Sequence, residues 1–359
     1  MEKPKGKGKM SEKERWDALI NRQPVDRISF FPVGAPSFSC LNVGYSILDS
    51  YTNMAKTSEA QRKIADQYGY FPFVYLAYGA YGAWEFGGEI KMPASEYVMA
   101  PTVVRYPVGS EEDVLKLELP DSKTAGIIPL NMELSKLQEE LPGAPIVPPV
   151  AHTVLTLAAN LSGIESLCRW MMKKPELVHH LAQLAGEHIV EVAKYWVNTF
   201  GPERIIFYSA AATESNQMIS PKQFEEFFLP YQKRTNEKLL AMGIKHLFVH
   251  ICGDHNLNLP LWSQIPMGDP GILSFGHEVD LETAAKYFPS DIIVGNVNPT
   301  IIHTGSGDAV YELSRICIEK GKKAPGGFML AAGCTISPLT PSYNYWVMQK
   351  SLEDFGWYD

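Results

Sequence analysis

No apolar stretch in this chain approaches the roughly 18 residues that a membrane-spanning helix needs, so no transmembrane segment is expected. The opening residues, Met1 to Lys9, interleave lysine with glycine and proline and hold no apolar core of the kind a secretory leader carries. A short disordered basic tail is expected over 1–10. Neither a GxGxxG nor a P-loop pattern occurs, so nothing favours a doubly wound nucleotide-binding sheet. Cysteine is scarce: Cys40, Cys168, Cys252, Cys317 and Cys334 are odd in number and widely spaced. No disulfide framework is visible, and a reducing cytoplasm fits. Positive charge is in deficit, 32 Lys and Arg against 40 Asp and Glu, or 32 − 40 = −8. That balance argues against nucleic acid as the main ligand. No short-period repeat suggests a solenoid.

What is present is alternation. Eight apolar, β-rich runs are expected as strands: 28–33, 71–77, 144–151, 204–211, 244–251, 271–275, 291–297 and 327–334. Helical spacing separates most of them. The first helix, from Lys13 to Asn21, follows Ser11 with Glu14 three residues on, a capping-box pattern. Further helices are expected over 58–68, 111–117, 130–141, 163–173, 175–200, 221–242, 281–287, 308–320 and 343–355. Strand–helix alternation argues for a parallel sheet wrapped by helices. Eight such units predict an α/β fold, a (β/α)8 TIM barrel forming one domain over 11–359, with N-terminal insertions after the early strands. From Tyr78 to Arg105 the chain is dense in aromatics and glycine. Tyr78, Tyr81, Trp84 and Phe86 either line an aromatic pocket or pack a capping hairpin.

The chemistry concentrates at His250-Ile251-Cys252. Residues i and i+2 of a strand face the same side, so this imidazole and thiol converge. Cys334 closes a second apolar run. Imidazole and thiolate at strand ends suit zinc, and three such ligands leave one position open. In a barrel the active site lies at the C-terminal strand ends. Glu214, His250, Cys252, Asn296, Asn298 and Cys334 all fall there. Glu214 is the candidate fourth ligand or proton-handling group; the plain alternative is a helix cap or an arginine partner. Asn296 and Asn298 are candidate cofactor-binding residues, and Asn256 and Asn296 candidates for hydrogen-bonding substrate or for holding turns. His255 and His277 are candidates for orienting a ligand, or surface histidines. His179, His180 and His188 are read as outer-helix residues, Cys317 as core, and Cys40 and Cys168 without a role.

At these residues the chain resembles the uroporphyrinogen decarboxylase superfamily, and within it the zinc-dependent corrinoid methyltransferases. The resemblance runs through Pro24-Val25-Asp26-Arg27-Ile28, Gly163-Ile164-Glu165, Ile219 to Phe227, His250-Ile251-Cys252-Gly253, Gly295 to Thr300, and Gly333-Cys334 with Pro338 and Thr340-Pro341. It implies the barrel, and His250, Cys252 and Cys334 as zinc ligands. One departure matters: Arg22-Gln23-Pro24-Val25-Asp26-Arg27 does not match the Arg-Gln-Ala-Gly-Arg motif that binds porphyrinogen carboxylates, so porphyrinogen decarboxylation is disfavoured. The resemblance implies a corrinoid carried by a partner protein, since no Asp-x-His-x-x-Gly cobalamin pattern occurs here. Two directions of transfer are open. Zinc can act as a Lewis acid on a methyl ether, whose methyl passes to Co(I); or it can hold a thiol as thiolate, which takes the methyl from methyl-Co(III). The aromatic segment 78–105 motivates the first, O-demethylation of a small methoxylated compound. The second, to a thiol such as coenzyme M, is the alternative, and a non-catalytic barrel that binds a corrinoid protein is a third.

Overall fold

The structure, a computed structural model, describes residues 9–34 and 36–358; most of the expected basic tail lies outside them. Among the described residues nine strands occur in chain order: β1 (Ser29–Phe30), β2 (Glu89–Lys91), β3 (Thr102–Arg105), β4 (Ala151–His152), β5 (Ile206–Ala211), β6 (His246–Ile251), β7 (Ile272–Phe275), β8 (Ile292–Val297) and β9 (Phe328–Ala332). Seven make one sheet in the order β1-β9-β8-β7-β6-β5-β4, every pair parallel. With its helices this is an α/β TIM barrel. β2 and β3 form a separate antiparallel hairpin.

The expected second strand, 71–77, is not a strand. Pro72 has no N–H to offer a ladder. Tyr75 meets its backbone needs with a side chain instead: its N–H donates to Gln61 Oε1 at 3.2 Å and its carbonyl accepts from Gln61 Nε2 at 2.8 Å. The segment still fills the barrel. Phe73 and Tyr75 join Phe31, Tyr208, Phe248 and Met329 in the interior cluster. The Tyr75 hydroxyl donates to Pro32 O at 2.7 Å and accepts from Gly34 N at 2.6 Å. The third strand is likewise shorter than expected. Pro148 and Pro149 break it, leaving a bridge between Ile146 and Ile205 and then β4.

The helix Glu12–Ile20 carries the capping box expected of Ser11 and Glu14. It puts Trp16 and Leu19 into the same interior cluster and so closes the N-terminal end of the barrel. The helix expected over 221–242 runs as Pro221–Gln223, a wider π turn over Phe224–Phe228, and Leu229–Ala241. Pro230 lacks the N–H that would bond the carbonyl four residues back, and the turn before it widens. Tyr78 and Tyr81 are buried, and Trp84 and Phe86 pack on the main core. The Tyr81 hydroxyl bonds His188 Nε2 at 2.9 Å. The aromatic segment therefore packs a cap rather than lining a pocket, and His188, expected on an outer face, is buried beneath it. Among the described residues no helix is long and apolar enough to cross a membrane.

Candidate metal centre

Pairing in β6 decides where His250 points. His250 lies in register with Ala210 of β5 and Ser274 of β7. It sits two residues beyond Phe248, which fills the barrel interior, and by the strand period it faces the same way. Cys252 follows the end of β6, its N–H donating to Ala211 O at 2.9 Å. Gly253 then turns the chain away at φ +89, a conformation that costs a side chain energy. Cys334 follows β9. Gly333 before it approaches the loop after β7 so closely that a Cβ would sit 2.9 Å from His277 N.

These elements bring one nitrogen and two sulfurs together at the C-terminal rim. The ligand atoms of His250, Cys252 and Cys334 lie within 4.8 Å of one another, and the two sulfurs are 3.4 Å apart. His250 Nδ1 is 3.0 Å from Ser274 Oγ. His250 Nε2 is buried and has no partner among the described residues. A neutral ring that donates Nδ1–H to Ser274 keeps a lone pair on Nε2 for a cation. The cysteines share a proton. Cys334 is held below the usual thiol range, chiefly by the hydrogen bond from Cys252 and further by His250 beside it. Cys252 is pushed up by the same bond, by burial, and by the charges of Cys334 and Glu278. Two cysteine sulfurs 3.4 Å apart and an unpartnered imidazole nitrogen in one cluster are a donor set that fits zinc, which binds deprotonated sulfur and neutral imidazole.

Glu214 does not join this cluster. Its carboxylate is fully buried and its oxygens are taken: Oε1 accepts from the Thr153 hydroxyl at 2.6 Å and Thr156 N at 3.0 Å, and Oε2 from the Thr156 hydroxyl at 2.6 Å. Burial raises its pKa, with the threonines opposing. The same Thr156 oxygen accepts from Ala212 N and Thr213 N, each at 3.0 Å. Glu214 thus ties the loop after β5 to the helix Val154–Ser162. Asn296 and Asn298 also hold backbone. Asn296 Nδ2 donates to Gly276 O at 2.9 Å and Val279 O at 2.7 Å, and Asn298 caps the helix Pro299–Thr304 through Thr300 N at 2.9 Å. Asn256 bonds Asp254 and Glu278 O, again holding loops. His277 is exposed at the rim, its Nδ1 3.4 Å from Glu278 Oε2.

Glu278 was missed from the sequence. It follows β7 on the same rim, and its carboxylate folds back so far that a Cβ on Gly276 would lie 2.6 Å from Oε2. Its charge is felt at Cys252. A survey of every residue just past a strand end, β7 included, would have found it. The arginines examined for porphyrinogen binding sit before β1, at the opposite end of the barrel. Arg22 pairs with Asp269 and Arg27 with Glu12 at 2.6 Å.

The barrel, with this N/S/S cluster at its mouth, belongs to a known family: residues 11–355 match the uroporphyrinogen decarboxylase (URO-D) family. Its relatives include methyltransferases and, at 26–27% identity over about half of this chain, uroporphyrinogen decarboxylases. The chain is 28% identical over 272 residues to a methylcobamide:CoM methyltransferase MtbA of Methanosarcina acetivorans, covering 75% of this chain and 74% of that protein. It is 26% identical over 357 residues to a methylcobamide:CoM methyltransferase MtaA of Methanosarcina barkeri, covering 96% and 98%. A solved structure of a methyltransferase from Methanosarcina mazei superposes with a TM-score of 0.79 at 21% identity, over 97% of this chain and 99% of that one.

Proposed function

We propose that this chain is a zinc-dependent methyltransferase that moves a methyl group from a methyl-corrinoid on a partner protein to a small thiol. The observation that carries the reading is the convergence of His250, Cys252 and Cys334 within 4.8 Å at the barrel mouth. The direction follows the methylcobamide:CoM methyltransferases among the relatives. The O-demethylation expected from the aromatic segment loses its motive, because Tyr78 and Tyr81 are buried in a packed cap.

Zinc at this centre would supply Lewis acidity that favours the thiolate form of a bound thiol at neutral pH. The chain's own residues prepare for it. Cys334 is the more acidic sulfur, and the proton shared with Cys252 leaves when a cation replaces it. Ser274 orients the His250 ring. Glu278, on the same rim and partly open to solvent, is the carboxylate to which we assign the proton of an incoming thiol. The thiolate sulfur then forms the S–CH3 bond, and the electron pair of the broken Co–C bond stays on cobalt as Co(I).

The test is an assay with free methylcobalamin and small thiols on the zinc-loaded protein, beside Cys252→Ala and Cys334→Ala. Methylation of a thiol in the wild type, lost with zinc in both variants, is the expected result. Methyl transfer from methoxylated compounds to Co(I) cobalamin with none to thiols would reverse the direction. Full activity without metal would overturn the mechanism, and binding of a corrinoid protein with no transfer in any direction would leave a scaffold.

A further inference from the structure

Cys252 is held by more than its strand. Its N–H is fixed to Ala211 O at 2.9 Å, and its carbonyl lies 3.2 Å from His255 Nε2. His255 is fully buried. Its other nitrogen, Nδ1, accepts the indole N–H of Trp262 at 3.0 Å. An indole nitrogen only donates, so Nδ1 must carry a lone pair. The proton of the neutral ring is therefore on Nε2 and points at the Cys252 carbonyl. Trp262 is itself fully buried, its ring against Phe224 at 5.4 Å and Phe228 at 4.9 Å. The His255 carbonyl accepts from Asn258 N at 2.9 Å and Leu259 N at 3.0 Å, which locks the loop to the short helix that carries Trp262.

The polar atoms of the Cys252 backbone are thus both fixed, and with them the Cα–Cβ vector from which the sulfur reaches the centre in one of its staggered rotamers. We propose that Trp262 and His255 form a positioning relay: the indole sets the tautomer of His255, and His255 sets the Cys252 carbonyl, so that Sγ meets the metal with His250 and Cys334. The relay rests on the zinc reading above and adds to it two residues that touch neither metal nor substrate. Trp262 is the more telling of the two, since its polar link to the centre is the one indole N–H donated to His255, beside an edge-on ring contact at 5.8 Å that Trp262→Phe largely keeps. Without the indole donor, the other tautomer of His255 becomes available, and it presents a lone pair to the carbonyl instead of a proton.

The experiment is zinc affinity by competition with a chromophoric chelator, together with the visible spectrum of the cobalt(II)-substituted protein. The proteins compared are the wild type, Trp262→Phe, His255→Leu and His255→Gln. Loss of a supporting hydrogen bond behind a metal ligand typically weakens binding about 10- to 100-fold. We expect a loss in that range for Trp262→Phe and His255→Leu, with a shifted thiolate-to-cobalt band. His255→Gln, which keeps an N–H for the carbonyl, recovers most of the affinity and the wild-type band. Melting of the metal-free proteins reports folding; if His255→Leu fails to fold, Trp262→Phe and His255→Gln carry the test. Wild-type affinity and an unshifted cobalt spectrum in Trp262→Phe would overturn the relay while leaving the zinc reading standing. A wild type that binds no zinc in the same titration would instead remove the zinc reading, and the relay with it.

Discussion

Ser274→Ala isolates the part of the site that orients His250. The serine is fully buried on β7, and its oxygen lies 3.0 Å from His250 Nδ1. A neutral ring that ligates through Nε2, which is buried without a partner among the described residues, must carry its proton on Nδ1, and this oxygen is the acceptor for it. Alanine removes the acceptor with almost no change of volume. The ring then either leaves a buried N–H unpaired, at about 1–3 kcal/mol, or moves its proton to Nε2, where it blocks the ligand position. Either outcome falls on metal binding. A supporting partner of a ligating histidine is worth about 10- to 100-fold in affinity, or roughly 1.4–2.8 kcal/mol at tenfold per 1.4 kcal/mol. The assay is zinc competition against a chelator of known affinity at neutral pH, with the metal-free proteins compared by thermal melting. The expected result is an affinity lowered by one to two orders of magnitude in a protein that still folds. Affinity within about twofold of wild type would refute the assignment of Nε2 as the ligand atom, because the proton on Nδ1 would then be irrelevant.

Two further outcomes test the surroundings of the site. Thr156→Val strips one hydroxyl donor from the Glu214 carboxylate and leaves Ala212 N and Thr213 N without their acceptor. At about 1–3 kcal/mol for each buried group left unpaired, denaturant unfolding should show a loss of several kcal/mol; a change below about 1 kcal/mol would show that the loop after β5 rearranges freely. Glu85 is buried beneath the aromatic cap, accepting from Gly82 N at 2.6 Å and Ile127 N at 3.0 Å, and burial raises its pKa to about 7. A carboxyl raised in the folded state contributes stability that is full below its unfolded value, near 4.5, and is lost as pH rises through about 7. The shift corresponds to roughly 3 kcal/mol. The stability of wild type relative to Glu85→Gln should therefore fall by that order between pH 4.5 and pH 8, followed by chemical unfolding across the range. A difference that stays flat with pH would mean the carboxyl is better solvated than its surroundings imply.

Much of this protein was legible in the order of its residues, for local reasons. Two residues apart on a strand point the same way, so His250 and Cys252 were bound to share a face once the run before them folded as β6. Ser11 and Glu14 encode their own helix start, and the alternation of apolar runs and helical spacing implies parallel pairing and a barrel. What remained depended on contacts between distant segments. Cys334 stands 82 residues from Cys252, and only closure of the sheet through β8 and β9 brings the sulfurs to 3.4 Å. The 71–77 run has the composition of a strand, yet Gln61 takes the backbone bonds of Tyr75 that a neighbouring strand would have made. Glu214 lies at the expected rim, but Thr153 and Thr156 turn its carboxylate inward and occupy it. Glu278 comes forward to Cys252 because Gly276 leaves room for its carboxylate to fold back. Composition and periodicity name a residue's element and face; which buried polar group meets which is decided by the packing of elements far apart in the chain.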